Sequence, residues 1–134
     1  MNRLAPLLST LLHDARARSA WRLVLAVLIV VVGWFAFGQP LQPIPDIDGG
    51  DKINHLLAFL ALGAAASFSL PLGWRASAQA AAGLLLYGAF IEAVQTQLSH
   101  REGDWQDLAA DAVGVLCGLL LASGLRRVSA PAKP

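Results

Sequence analysis

"LVLAVLIVVVGWFAFG", residues 23–38, is a run of sixteen positions without one charged side chain. In water a segment so rich in Val and Ile would suggest a strand. In hydrocarbon the same residues suit a helix, because there the backbone must satisfy its own hydrogen bonds and only helices and closed barrels do so. Composition chooses between the two media. The 134 residues are 56% hydrophobic and only 14% charged, with a mean hydropathy of +0.56, whereas about a quarter of a soluble domain is charged. The chain reads as a membrane protein.

Working outward from this segment, three more apolar windows appear, giving spans at about residues 22–38, 53–70, 76–98 and 107–125. Each is near the roughly 20 residues that a helix needs to cross the bilayer core. The fold class expected is an all-α membrane protein, a four-transmembrane-helix bundle. "QPLQPIPDIDGGD", residues 39–51, holds three prolines, two glycines and three acids and forms a loop outside the core. "PLGWR", residues 71–75, is a tight turn with Trp74 at the interface, so the second and third helices are antiparallel neighbours. "ALGAAAS" (61–67), "ASAQAAAG" (76–83) and the Gly114/Gly118 GxxxG pair offer small-residue faces for packing inside the chain, or in a homodimer through Gly114 and Gly118. Cys117, the single cysteine, excludes an intrachain disulfide and reads as a buried, inert thiol among apolar neighbours.

Cation placement fixes a direction. Arg3, Arg16, Arg18 and Arg22 precede the first span, Arg75 sits in the second turn, and Arg126, Arg127 and Lys133 follow the fourth; the other two connections hold only Lys52 and Arg101. By the positive-inside rule both termini and the Arg75 turn are cytoplasmic and the acid-bearing connections face outward, across a bacterial cytoplasmic (inner) membrane. The net charge of +1, with cations scattered among acids, argues against nucleic acid as a partner and leaves membrane lipids. Residues 1–20 carry Leu4, Leu7, Leu8, Leu11 and Leu12 at helical spacing with cations after them, an amphipathic interfacial helix on the cytoplasmic face; a cleaved signal peptide is the rival reading. Residues 21–126 then form the four-span domain and 127–134 a short tail.

Polar residues collect at one end of these spans. Asp51, Lys52 and His55 open the second, Glu92 and Gln95 close the third, and Arg101, Asp104, Asp107 and Asp111 lead into the fourth. Acids at a helix start serve as N-caps, which accounts for Asp51, Asp104 and Asp107 as readily as a site does. Capping does not account for His55, Glu92 and Asp111, which lie at least a turn inside, where a charge costs about 2.5–3.5 kcal/mol on insertion scales. Six carboxylates, those of Asp51, Glu92, Glu102, Asp104, Asp107 and Asp111, face Lys52 and Arg101, leaving −4 with His55 neutral and −3 with it protonated. Either some carboxyls are protonated or a cation or cationic group is bound. One histidine among carboxylates would suit Mg²⁺, Mn²⁺ or Ca²⁺ over structural zinc.

"DKINHLLAFLALG", "IEAVQ" and "REGDWQDLAADAVGVLCG" together resemble the VanZ-like family of small bacterial membrane proteins. The family pattern has D-K-x-x-H opening one span, E-x-x-Q closing the next, and R-x-x-D-x-x-D-x-x-x-N-x-x-G entering the last. Asp51, Lys52, His55, Glu92, Gln95, Arg101, Asp104, Asp107, Gly114 and Gly118 match; Asp111 stands where Asn is commoner, and Leu56 and Phe59 replace Phe and Tyr. The resemblance covers roughly residues 21–125 and implies four spans in a family named for a member associated with teicoplanin resistance.

Three functions fit these residues. The pocket binds an amphiphile, such as a lipid, a cell-wall intermediate or a lipoglycopeptide, in a cell-envelope role; or His55, Glu92 and Asp107 serve a metal-dependent hydrolase or transferase acting on a lipid-linked substrate; or the protein moves ions or protons. No G-x-S-x-G, H-E-x-x-H or Cys–His template is present. Orientation is directly testable: in a Cys117→Ser background, a membrane-impermeant maleimide labels Gln42→Cys on spheroplasts and reaches Leu72→Cys only after permeabilisation. The opposite pattern refutes the assigned direction.

Overall fold

The computed structural model describes residues 14–38, 50–99 and 103–130. Their regular structure is four helices: α1 Ala15–Phe37, α2 Gly50–Ser69, α3 Trp74–Gln95 and α4 Trp105–Val128. All four are long and apolar enough to cross a membrane. The expected leucine stripe Leu4 to Leu12, the loop 39–49, and His100, Arg101 and Glu102 lie outside the described residues.

Local chemistry shifts the expected ends. Asp14 caps α1 by accepting the Arg16 N–H at 3.0 Å, so the "ARAR" turn read with the N-terminal segment is continuous with the first span. The third helix stops at Gln95 rather than residue 98, with Thr96 closing onto Glu92 O. The fourth continues to Val128, beyond the expected 125.

Two helices form the axis. Half of the most apolar window of α2 is buried inside the protein, against 6% for α1. The partner of α2 over its whole length is α4. His55 meets Asp111 near one end and Ser67 meets Ser123 near the other, each pair separated by 56 residues, so α2 and α4 run parallel in fixed register. Glycine permits the approach. A Cβ on Gly118 would meet Leu60 O, one on Gly114 would meet Leu56 O, and one on Gly63 would lie 2.7 Å from Val115 O. The GxxxG face is therefore occupied within the chain, by α2.

Around this pair Phe59, Leu62 and Ala66 of α2 pack on Leu84 and Ile91 of α3 and on Val115 and Leu119 of α4. Helix α1 lays Leu25, Leu28, Ile29 and Val32 against that core and leaves Val30 69% and Trp34 77% exposed, as a helix bordered by lipid does. Tyr87 of α3 donates to Ile29 O at 2.6 Å across Gly33, where a Cβ would sit 2.9 Å from the Tyr87 hydroxyl.

Some expectations need correction. Helix α3 follows α2 through the short turn as expected, yet it contacts α2 far less than α4 does. Of the two small-residue stretches, "ALGAAAS" packs, but much of "ASAQAAAG" is exposed and Gly83 has nothing near its Cβ position. The inward face of α3 is set later, by Leu84, Gly88, Ile91, Glu92 and Gln95. Cys117 is exposed, not buried, because α4 turns Gly114, Val115, Gly118 and Leu119 inward and leaves Leu116 and Cys117 outside. Arg126, counted among the cations that follow the fourth span, is 4% exposed. It donates to Ser67 O and Leu70 O while Arg22 donates to Ser69 O, so two guanidinium groups satisfy the last carbonyls of α2. A small cavity lined by Ser67, Pro71, Ser77, Ser123 and Arg126 lies at this end, away from the acids.

Replacing Gly118 with Ala forces the α2 and α4 backbones apart and lowers stability by about 1–3 kcal/mol, read as a drop in melting temperature in detergent. Gly83→Ala, where no atom lies within 4 Å of the added methyl, leaves it unchanged or slightly raised.

Candidate functional site at the Asp51 end of the bundle

The parallel register of α2 and α4 brings both N-terminal ends to the C-terminal end of α3. On α2, Asp51, Lys52 and His55 fall within the first two turns, with His55 one turn after Asp51. On α4, Asp107 and Asp111 are one turn apart and both buried. Glu92, near the end of α3, completes a third wall.

At the rim, Lys52 Nζ donates to Asp104 Oδ2 at 3.0 Å and lies 3.9 Å from Asp107 Oδ1. Asp104 is the N-cap of α4, accepting the Gln106 N–H at 2.9 Å through its other oxygen. The Gln106 N–H first, and the Lys52 ammonium second, hold the Asp104 carboxyl below the usual carboxylate range. Asp51, in the first turn of α2, is exposed.

Deeper, His55 Nδ1 and Asp111 Oδ1 are 2.9 Å apart, and His55 Nε2 is 3.8 Å from Glu92 Oε1. The Asp111 side chain is fully buried and those of His55 and Glu92 are 9% and 12% exposed. Glu92 Oε2 accepts the Asp104 N–H at 2.9 Å, tying the end of α3 to the start of α4. Among the described residues three side-chain oxygens are buried without a hydrogen bond: Glu92 Oε1, Asp107 Oδ1 and Asp111 Oδ2. With Asp111 ionised, the His55 Nδ1–H donates to it and Nε2 turns its lone pair toward Glu92.

Two other residues shape this interior. The Phe59 ring lies parallel to the His55 imidazole, 3° apart in plane and 6.5 Å between centroids. Gly88 gives Asp111 its space, since a Cβ there would stand 2.5 Å from Asp111 Oδ2 and 3.3 Å from the Phe59 ring. Neither was singled out from the sequence as part of the site. Their signal was spacing: Phe59 is one turn beyond His55 and Gly88 one turn before Glu92, on the faces those residues already marked.

The candidate residues thus separate. His55, Glu92, Asp107 and Asp111 come together, with Asp51, Lys52 and Asp104 at the rim. Gln95 stands apart: its Nε2 donates to Ala36 O at 3.0 Å, fastening α3 to α1. Ligand atoms of His55, Glu92 and Asp111 lie within 4.8 Å of one another, as do those of Asp51, His55 and Asp107.

The segments that converge here are the three that carried the resemblance, and the sequence pattern of the VanZ/LLP1 family matches residues 9–126. The chain belongs to that family. It is a VanZ-like membrane protein with four apolar spanning helices. Comparison with curated proteins finds no match, and comparison with solved structures finds none either. Within this VanZ-like chain the D-K-x-x-H and D-x-x-D elements supply opposite walls of one cluster. The E-x-x-Q element divides, its Glu92 joining the cluster and its Gln95 bracing the scaffold.

A carboxyl held low in the folded state adds stability above its unfolded value of ~3.9 and loses it as pH falls through the folded one. Asp104→Ala therefore lowers the melting temperature at neutral pH, and the gap from the unaltered protein narrows as acid protonates the Asp104 carboxyl below its unfolded value of ~3.9. A gap indifferent to acid would show that Asp104 does not act as an ionised cap.

Proposed function

We propose that this VanZ-like protein holds the polar headgroup of an amphiphile at the outer face of the bacterial cytoplasmic membrane. A lipid, a cell-wall intermediate or a lipoglycopeptide fits the reading, in a cell-envelope role of the kind that includes glycopeptide resistance. One observation carries it: Glu92, Asp107 and Asp111, each grouped with His55 within 4.8 Å, each keep a buried carboxylate oxygen without a hydrogen bond. Burying a carboxylate oxygen unpaired costs several kcal/mol at the order of magnitude, a cost that a bound polar ligand offsets. The cluster also sits at the ends of three spans, the depth at which a headgroup meets helices whose outer surfaces are apolar. The excess of cations at the opposite ends supports placing the acids outside.

A second reading, hydrolysis or group transfer on a lipid-linked substrate, is favoured by the His55–Asp111 contact. A carboxylate on Nδ1 orients the ring and makes Nε2 a better base, with Glu92 beside it. Ion or proton movement gains no such support. Between His55 and the Ser67–Ser123 pair the buried core residues are the apolar Phe59, Leu62, Val115 and Leu119, and the Tyr87 hydroxyl beside them is engaged with Ile29 O.

The test titrates the purified full-length protein in detergent with a lipid-linked cell-wall precursor, a lipoglycopeptide and a plain phospholipid, following affinity and turnover together. Saturable binding of at least one headgroup is expected, weakened at least about tenfold, or 1.4 kcal/mol, by Asp107→Asn. Product formation abolished by His55→Ala would establish the enzymatic reading. Absence of saturable binding to all three would end the proposal.

A further inference from the structure

We propose that His55, Glu92 and Asp111 form a site for one divalent cation of the Mn²⁺ class, held between α2, α3 and α4. The inference deepens the proposed function and rests on its reading of this cluster as the ligand-binding end. Three kinds of observation carry it: where the donor atoms are, what remains unpaired on them, and which charges are already committed.

The donors are preassembled. One ligand atom from each residue lies within 4.8 Å of the others, and donors on opposite sides of an ion at about 2.0–2.6 Å stand roughly 4–5 Å apart. His55 Nδ1 and Asp111 Oδ1 stand 2.9 Å apart, the spacing of adjacent ligands on one ion, which would take the place of the proton they share. Glu92 is tethered through Oε2, which accepts the Asp104 N–H, and keeps Oε1 buried without a hydrogen bond. A ligand held by a supporting contact on its far oxygen is the usual construction of a metal site. The Phe59 ring lies parallel to the imidazole. Gly88 keeps Asp111 Oδ2 clear of α3, where any side chain would crowd it.

Charge selects this group over its neighbour. A second group, Asp51, His55 and Asp107, shares the histidine, but Asp51 is exposed and has interactions of its own. Lys52 lies 3.9 Å from Asp107 and donates to Asp104, so the rim cation serves the outer acids. Among the described residues no lysine or arginine is paired with Glu92 or Asp111. Two inner carboxylates with a neutral imidazole carry two negative charges, which a divalent ion neutralises. The mixed set, one nitrogen and two oxygens without a thiolate, favours Mn²⁺ over the all-oxygen preference of Ca²⁺ and Mg²⁺ and over structural zinc.

The ion would change what the pocket accepts. Bare carboxylates repel anions, whereas a cation bound to them with open positions takes an anionic oxygen of a headgroup, a phosphate or a carboxylate. An amphiphile with such a group is then the expected partner, recruited through the ion and not directly by the acids.

The experiment titrates MnCl₂ alone into chelator-stripped, full-length protein in detergent, with no amphiphile present, followed by electron paramagnetic resonance. One ion per chain is expected, with a hyperfine coupling to a single imidazole nitrogen, reversed by chelator. Glu92→Gln and Asp111→Asn, each with helical circular dichroism retained, weaken the affinity at least about tenfold. The nitrogen coupling is read on the unaltered protein, so the test stands even where a variant fails to fold. Absence of stoichiometric Mn²⁺, a bound ion without nitrogen coupling, or binding indifferent to both variants overturns the proposal. Mn²⁺ bound without any headgroup binding would sink the functional reading alone, and headgroup binding without Mn²⁺ would sink this one alone.

Discussion

The α2 and α4 backbones approach through Gly63, Gly114 and Gly118 until a single methyl group would collide with a carbonyl. In a bilayer, helix association gains nothing from excluding water, because lipid tails are as apolar as the side chains, and van der Waals contact must hold the pair. Close approach maximises that contact. It also locks the register, so that residues 56 apart face each other from His55–Asp111 to Ser67–Ser123.

A fixed parallel register decides where charge goes. Two helices running the same way present both N-termini at one end, and acids are favoured there by the helix dipole and by orphan N–H groups. Asp104 meets that local demand as an N-cap. Asp107 and Asp111 continue inward along the same face of α4, past the depth at which capping accounts for them. The arrangement at the other end is the converse: Arg22 and Arg126 satisfy the last carbonyls of α2. The bundle is polarised along its axis, with an apolar layer of Phe59, Leu62, Val115 and Leu119 between its acidic and basic ends.

Much of this was legible in the chain. Each of the four apolar runs is a helix, because each satisfies its own backbone and needs no partner to be recognised, although the first begins at Ala15 and not at residue 22. The convergence of His55, Glu92, Asp107 and Asp111 was legible for the same reason: once alternating spans place their ends, depth follows from residue number. Facing does not follow so simply. Cys117 was expected to be buried and is exposed, Gln95 turns its amide to Ala36 O, and "ASAQAAAG" packs only through Ala80 and Ala81. Apolar side chains cover lipid-facing and core-facing surfaces alike, so hydrophobic periodicity, the guide in a soluble helix, carries little orientation here.

The sequence by itself determined a four-helix membrane chain, the end at which its acids collect, and membership of a family whose three motifs form that end. Only the tertiary structure decided which helices touch, that Glu92 joins the cluster while the Gln95 amide turns to Ala36 O, that Arg126 is buried, and that three carboxylate oxygens are without a hydrogen bond among the described residues. The first group of properties follows from length, charge and depth, which are local quantities. The second depends on the rotation of each helix about its own axis, which close backbone contact sets and no single segment encodes.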